Sequence, residues 1–142
     1  MKTNDINDFK SRLKDAMLSW AEDKIDALFP EKTQTRAIMK NGLNNMMSRI
    51  DNSINSYVDN IVLFIGDADG NLDGDAMVDM AVKMFNEMDN GEYRLGAFNM
   101  RVGKGELILY LPHNIFLEML VGNLGSVRFT SEDLKQFKNF LI

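Results

Sequence analysis

Apolar residues recur along the first half of the chain at spacings that predict helices. Ile6, Phe9, Leu13, Met17, Trp20, Ile25 and Leu28 fall at near-helical intervals with Lys and Asp between them. This pattern predicts an amphipathic helix of about five or six turns that closes before Pro30. Trp20 lies on its apolar face and is expected to anchor it against the next helix. Met39, Leu43, Met46, Ile50, Ile54, Tyr57, Ile61 and Phe64 then continue in steps of three and four. Their mean interval of about 3.57 residues lies between the coiled-coil and straight-helix periods. A second helix is expected over 43–65, with Asn41-Gly42 either starting it or kinking a longer one. The Pro30–Arg36 connection makes the pair an antiparallel hairpin.

Gly66 to Gly74 is polar and turn-rich, and helix signals resume from Asp75 to about Met88 with Asp73 as N-cap. After Asn90-Gly91 the period becomes two. Tyr93 and Leu95 alternate, then Phe98, Met100 and Val102, and Gly103-Lys104-Gly105 leads into Leu107-Ile108-Leu109-Tyr110-Leu111. Residues 97–111 are therefore expected to form an antiparallel hairpin whose second strand, apolar on both faces, is central. Ile115 to Val121 reads as one or two helical turns, and Val127-Arg128-Phe129 as a short strand. Thr130-Ser131-Glu132-Asp133 resembles a capping box that opens a last helix carrying Leu134, Phe137 and Leu141. The class that follows is α+β: N-terminal helices over 1–88, then a small antiparallel sheet and a C-terminal helix over 91–142, as one domain.

Composition narrows the chemistry. The chain has 142 residues, no cysteine and one histidine, His113. Disulfides, thiolate catalysis, cysteine-rich zinc sites and any intrachain two-histidine site are excluded. No apolar run approaches the roughly 20 residues of a membrane span. The Met1-Lys2-Thr3-Asn4-Asp5 start lacks a signal's apolar core, so a cytoplasmic location is expected. No serine lies in a Gly-x-Ser-x-Gly elbow, and Gly103-Lys104-Gly105 precedes a strand rather than a phosphate-cradling helix.

Charge is concentrated. Residues 67–92 hold eight carboxylates against Lys83, a net of −7, so the rest of the chain carries +2 within a total of −5. Such a field repels a phosphate backbone and attracts cations or basic protein surfaces; nucleic acid is not an expected partner. Within this segment Asp69, Asn71, Asp73 and Asp75 occupy alternate positions, with Gly74 before the last. Over these positions the loop resembles a calcium-binding EF-hand, with the four residues at ligand positions 1, 3, 5 and 7. The bidentate Glu expected at position 12 is Met80, and Ala76 stands where a branched aliphatic residue belongs. The other reading is a solvated interhelical loop in which Asp73 caps the next helix, and calcium affinity no tighter than about the millimolar range is expected.

The chain has 11 methionines, of which Met77, Met80, Met84 and Met88 share one helix face. Methionine fills irregular core gaps and is also over-used on promiscuous binding surfaces. Together with a seam at Ile50 and Ile54, these residues are the candidate contacts for a protein partner or a second copy. The expected function is a small intracellular, non-enzymatic interaction or assembly protein, such as a component of a phage particle or another large assembly. The alternatives are a calcium-binding module built on the 67–79 loop and an acidic chaperone of a basic client. No cofactor is expected unless that loop takes calcium.

Overall fold

The computed structural model describes residues 6–29, 33–65, 73–95, 98–111 and 126–141. Three helices come first: α1 (Ile6–Leu28), α2 (Thr33–Ile65) and α3 (Gly74–Glu87). Four strands follow, β1 (Gly91–Leu95), β2 (Phe98–Gly103), β3 (Glu106–Tyr110) and β4 (Ser126–Thr130), and then two short helices, α4 (Ser131–Gln136) and α5 (Lys138–Leu141). The fold is α+β, with N-terminal helices, a four-stranded antiparallel sheet and a short helical C-terminus.

α1 and α2 form the expected antiparallel hairpin, and ion pairs at both ends mark its register. Lys10 lies 2.7 Å from Asp59 and Lys14 2.5 Å from Asp51, while Asp26 meets Lys40 at 2.9 Å near the other end. Half-exposed pairs contribute little energy, roughly 0–1 kcal/mol each. The hairpin is held by burial of Phe9, Leu13 and Ile25 of α1 against Met39, Leu43, Ile50, Ile54 and Ile61 of α2.

The second helix differs from expectation at three points. It runs without a break from Thr33 through Asn41-Gly42, 33 residues or about 50 Å. Gly42 is tolerated in its interior because the Phe98 ring occupies the space beside it: a Cβ there would stand 2.6 Å from the ring's Cε2. At the far end the apolar stripe stops at Ile61. Phe64 is 72% exposed, Tyr57 is half-buried, and the buried position of that turn is Val58. A period slightly above 3.57 carries the covered stripe from Tyr57 towards Val58 and leaves Leu63 and Phe64 facing outward.

The sheet order β1-β2-β3-β4 places the doubly apolar β3 inside, as its composition requires. Phe98, Met100 and Val102 are buried on one face of β2, and Asn99 and Arg101 are exposed on the other. The register Met100↔Leu109↔Val127 runs this inner face across three strands. The β2–β3 turn docks on the end of α3. The Lys104 N–H donates to the Met88 carbonyl and the Gly105 N–H to the Phe85 carbonyl, each at 2.9 Å, satisfying carbonyls that the helix end leaves open. Gly105 has φ +79°, and a Cβ there would strike Asn86, so glycine is required on both counts.

Trp20 makes a contact that its helical spacing does not announce. It stands edge-on against Phe129 of β4, ring centroids 5.1 Å apart, and Phe129 also meets Phe85 of α3 and Phe137. The first helix is thus tied to the sheet as well as to its hairpin partner. The Thr130–Asp133 capping box forms, with the Thr130 N–H donating to the Asp133 carboxylate at 2.8 Å. The expected single C-terminal helix is two pieces divided at Phe137, with Leu134 and Leu141 buried. The Ile115–Val121 segment and His113 lie outside the described residues.

Candidate functional site

α3 lies along α2, joined to it by the Tyr57 hydroxyl, which donates to the carbonyl of Ala81. Burial at this seam pushes the Tyr57 phenol well above its ordinary pKa, so it stays protonated and available as a donor. Asp73 starts α3 as expected: its carboxylate accepts from the Asp75 N–H at 2.9 Å. Met77, Val78, Ala81, Val82 and Phe85 form the buried side of the helix.

The four methionines divide. Met77 is fully buried, whereas Met80, Met84 and Met88 are half-buried at the edge of the core. Met84 and Met88 form one wall of an open groove of about 560 Å3. Its floor and other wall are Asn52, Ser53, Ser56, Tyr57 and Asn60 of α2. An open trough lined by thioethers, hydroxyls and amides can bury apolar surface and exchange neutral hydrogen bonds. A second apolar depression, between α1, α2 and the sheet near Trp20, Met46 and Leu107, admits only about 30 Å3, room for no ligand larger than a water molecule.

Ile50 and Ile54 are 8% and 7% exposed and belong to the core shared by the helices and the sheet. The seam expected at these two residues is therefore covered by the chain itself, because α1 and α3 both pack on α2 and the sheet closes the remaining side. Of the six candidate contact residues, the structure brings Met84 and Met88 into the groove, leaves Met80 at the core edge, and encloses Met77, Ile50 and Ile54.

The α2 wall of the groove was not among the sequence candidates. A signal for it is nonetheless present. Residues 41–65 carry three charges, Arg49, Asp51 and Asp59, in a chain with 37 Lys, Arg, Asp and Glu residues. Asp51 and Asp59 both turn to lysines of α1. What remains outward is one charge, Arg49, exposed a turn before Asn52, among uncharged Asn45, Asn52, Ser53, Ser56 and Asn60, which are also exposed.

The acidic candidates are placed in part. Asp69 and Asn71 lie outside the described residues. The Asp73 carboxylate caps α3, and the Asp75 carboxylate pairs with Lys138 of α5 at 2.9 Å. That hydrogen bond and the adjacent charge raise the Lys138 pKa above its ordinary value. Among the described residues no three His, Asp or Glu side chains gather as metal ligands. No helix among them is long and apolar enough to cross a membrane.

No protein-family model matches the chain, and searches of curated proteins and of solved structures return no significant match.

Proposed function

We propose that this protein works by protein–protein contact, as an interaction or assembly component, and that the α2–α3 groove is the surface it uses. The observation that carries this reading is the junction of two half-buried methionines with an uncharged row of α2 lining residues from Asn52 to Asn60 along the groove. Interface cores are depleted in charge and enriched in methionine and aromatic residues relative to the rest of a protein surface. Met84, Met88 and Tyr57 supply the apolar and aromatic part, and Asn52, Ser53, Ser56 and Asn60 the neutral hydrogen-bonding part. An intracellular, non-enzymatic role within a larger assembly fits this surface. A calcium-dependent role for the 67–79 loop has less support, since the carboxylates of Asp73 and Asp75 serve a helix cap and an ion pair.

The test is a charge placed in the groove. Met84→Glu projects a carboxylate into a trough with no cation among its described lining residues, and should abolish co-purification of the partners that the tagged wild-type chain retains from its source. Circular dichroism should show the helical content unchanged. Asn60→Arg, at an exposed position of the opposite wall, should act in the same way. Retention of the same partners by both folded variants would overturn the reading.

A further inference from the structure

We propose that β1 pairs with β1 of a second copy of this chain, joining the two sheets edge to edge about a two-fold axis at Tyr93. The contact uses neither wall of the α2–α3 groove and stands independently of it. β1 is an edge strand, paired with β2 on one side and with no other described strand. The β2–β3 turn fixes which of its backbone groups face the open side. Lys104 and Gly105 have φ of 54° and 79°, the two-residue hairpin geometry in which the flanking Gly103 and Glu106 exchange both backbone hydrogen bonds. Bonding sides alternate along a strand, so Asn99 and Arg101 also bond to β3. Phe98, Met100 and Val102 then bond to Leu95, Tyr93 and Gly91 of β1. The N–H and C=O groups of Glu92 and Arg94 are left pointing out of the sheet edge, and no described backbone group meets them. Such a row is a template for another strand.

The side chains select a copy of the same strand. Three antiparallel registers set these two residues against each other. Two of them oppose like charges, Glu92 to Glu92 or Arg94 to Arg94, which destabilises the pairing. The third centres the axis on Tyr93 and sets Glu92 against Arg94 of the second copy, in both directions. This is also the register of full overlap, and it is self-complementary, as an isologous contact requires. Each Glu92–Arg94 pair exchanges two backbone hydrogen bonds and brings opposite charges together on the outer face, where both residues are exposed. Arg101, opposite Glu92 on β2, adds a cation on its other side.

On the face of Met100, Tyr93 is 53% exposed and meets Tyr93 of the copy as a close, non-hydrogen-bonded aromatic pair. Gly91 leaves room beside it for Leu95 of the copy. The other free edge lacks this complementarity. The outward groups of β4 belong to Ser126, Arg128 and Thr130, and full overlap sets Arg128 against itself. The Thr130 N–H is moreover taken by the Asp133 carboxylate. β1 has five residues and is about 17 Å long. A contact of that length is well short of a standard interface, so the dimer is weak and concentration-dependent, with a Kd of about 0.1–1 mM.

Directed disulfide formation in this cysteine-free chain tests the register. Tyr93→Cys should yield a disulfide-linked dimer under mild oxidation, since Cα atoms of a non-hydrogen-bonded pair lie about 4.5 Å apart, within disulfide range. Glu92→Cys and Arg94→Cys should each cross-link about tenfold more slowly alone, because neither faces itself, and rapidly when mixed. Sedimentation equilibrium tests the charges. Glu92→Arg and Arg94→Glu should each be monomeric where wild type is half dimeric, and the double variant carrying both exchanges should dimerise again. A wild-type chain that stays monomeric to about 2 mM would overturn the proposal. So would equal cross-linking at residues 92, 93 and 94, or a folded double variant that stays monomeric. Open polymers in place of a dimer would also overturn it, showing that β1 pairs with β4 instead.

Discussion

Ile54→Glu is expected to unfold the protein at neutral pH. Ile54 is 7% exposed and lies in the core formed by the helices and the sheet. The substitution removes about 1.5–3 kcal/mol of apolar burial. It also sets a carboxyl group in a site almost closed to water. Buried glutamates elsewhere titrate near pH 8–9, about four units above their free value, which corresponds to about 4 kcal/mol at pH 7 and to the full 5–6 kcal/mol only above about pH 9. The combined cost of about 6 kcal/mol at pH 7, rising with pH, is comparable to the total stability of a typical domain. A glutamate whose folded-state pKa is raised binds more protons folded than unfolded between the two pKa values. Its penalty is therefore fully present above the folded pKa and is relieved as pH falls towards about 4.3. Urea melts of the variant should show little folded protein at pH 8 and partial recovery near pH 5. A stably folded Ile54→Glu variant at pH 8 would show that this position faces outward.

Gly42→Val is expected to lower stability by about 2 kcal/mol, and the loss should depend on Phe98. A side chain at residue 42 enters the space of the Phe98 ring, whose own exposure is 1%. Overpacking of this kind costs about 1–3 kcal/mol, and α2 and β2 cannot separate without opening the core between them. The opposing effect is helical propensity, since replacing an interior glycine with alanine contributes about 1 kcal/mol. Gly42→Ala alone should thus be neutral to destabilising. In a Phe98→Leu background, where the ring is absent, it should be stabilising by up to about 1 kcal/mol. Thermal melts of the four combinations form a double-mutant cycle. Additive effects would mean that Gly42 and Phe98 do not share this space.

These two positions also show what the sequence discloses and what it withholds. The helices, the β2–β3 hairpin, the central place of β3 and the Thr130 capping box are local or periodic features, legible from spacing and turn chemistry. Gly42 is not legible in this way. A glycine after asparagine signals a break, and only the ring of Phe98, 56 positions further on, explains why the helix continues through it. Trp20 is similar, because its apolar position is periodic but its contact with Phe129 is set by tertiary packing. Ile50 and Ile54 read equally well as seam or core, since periodicity identifies an apolar face without saying what covers it. Of the groove, the methionine wall was visible as a stripe. The α2 wall was visible only as a shortage of charge, which acquires meaning once α3 lies beside it.

The claim that the α2–α3 groove is where this protein meets another protein is tested most directly by oxidative footprinting of its methionines. Met39 and Met77 are buried and should react slowly in every state, giving an internal reference. Met84 and Met88 should oxidise readily in the dilute, isolated chain and become protected in the assembled protein. Equal oxidation of Met84 and Met88 in the isolated and assembled states would contradict the account.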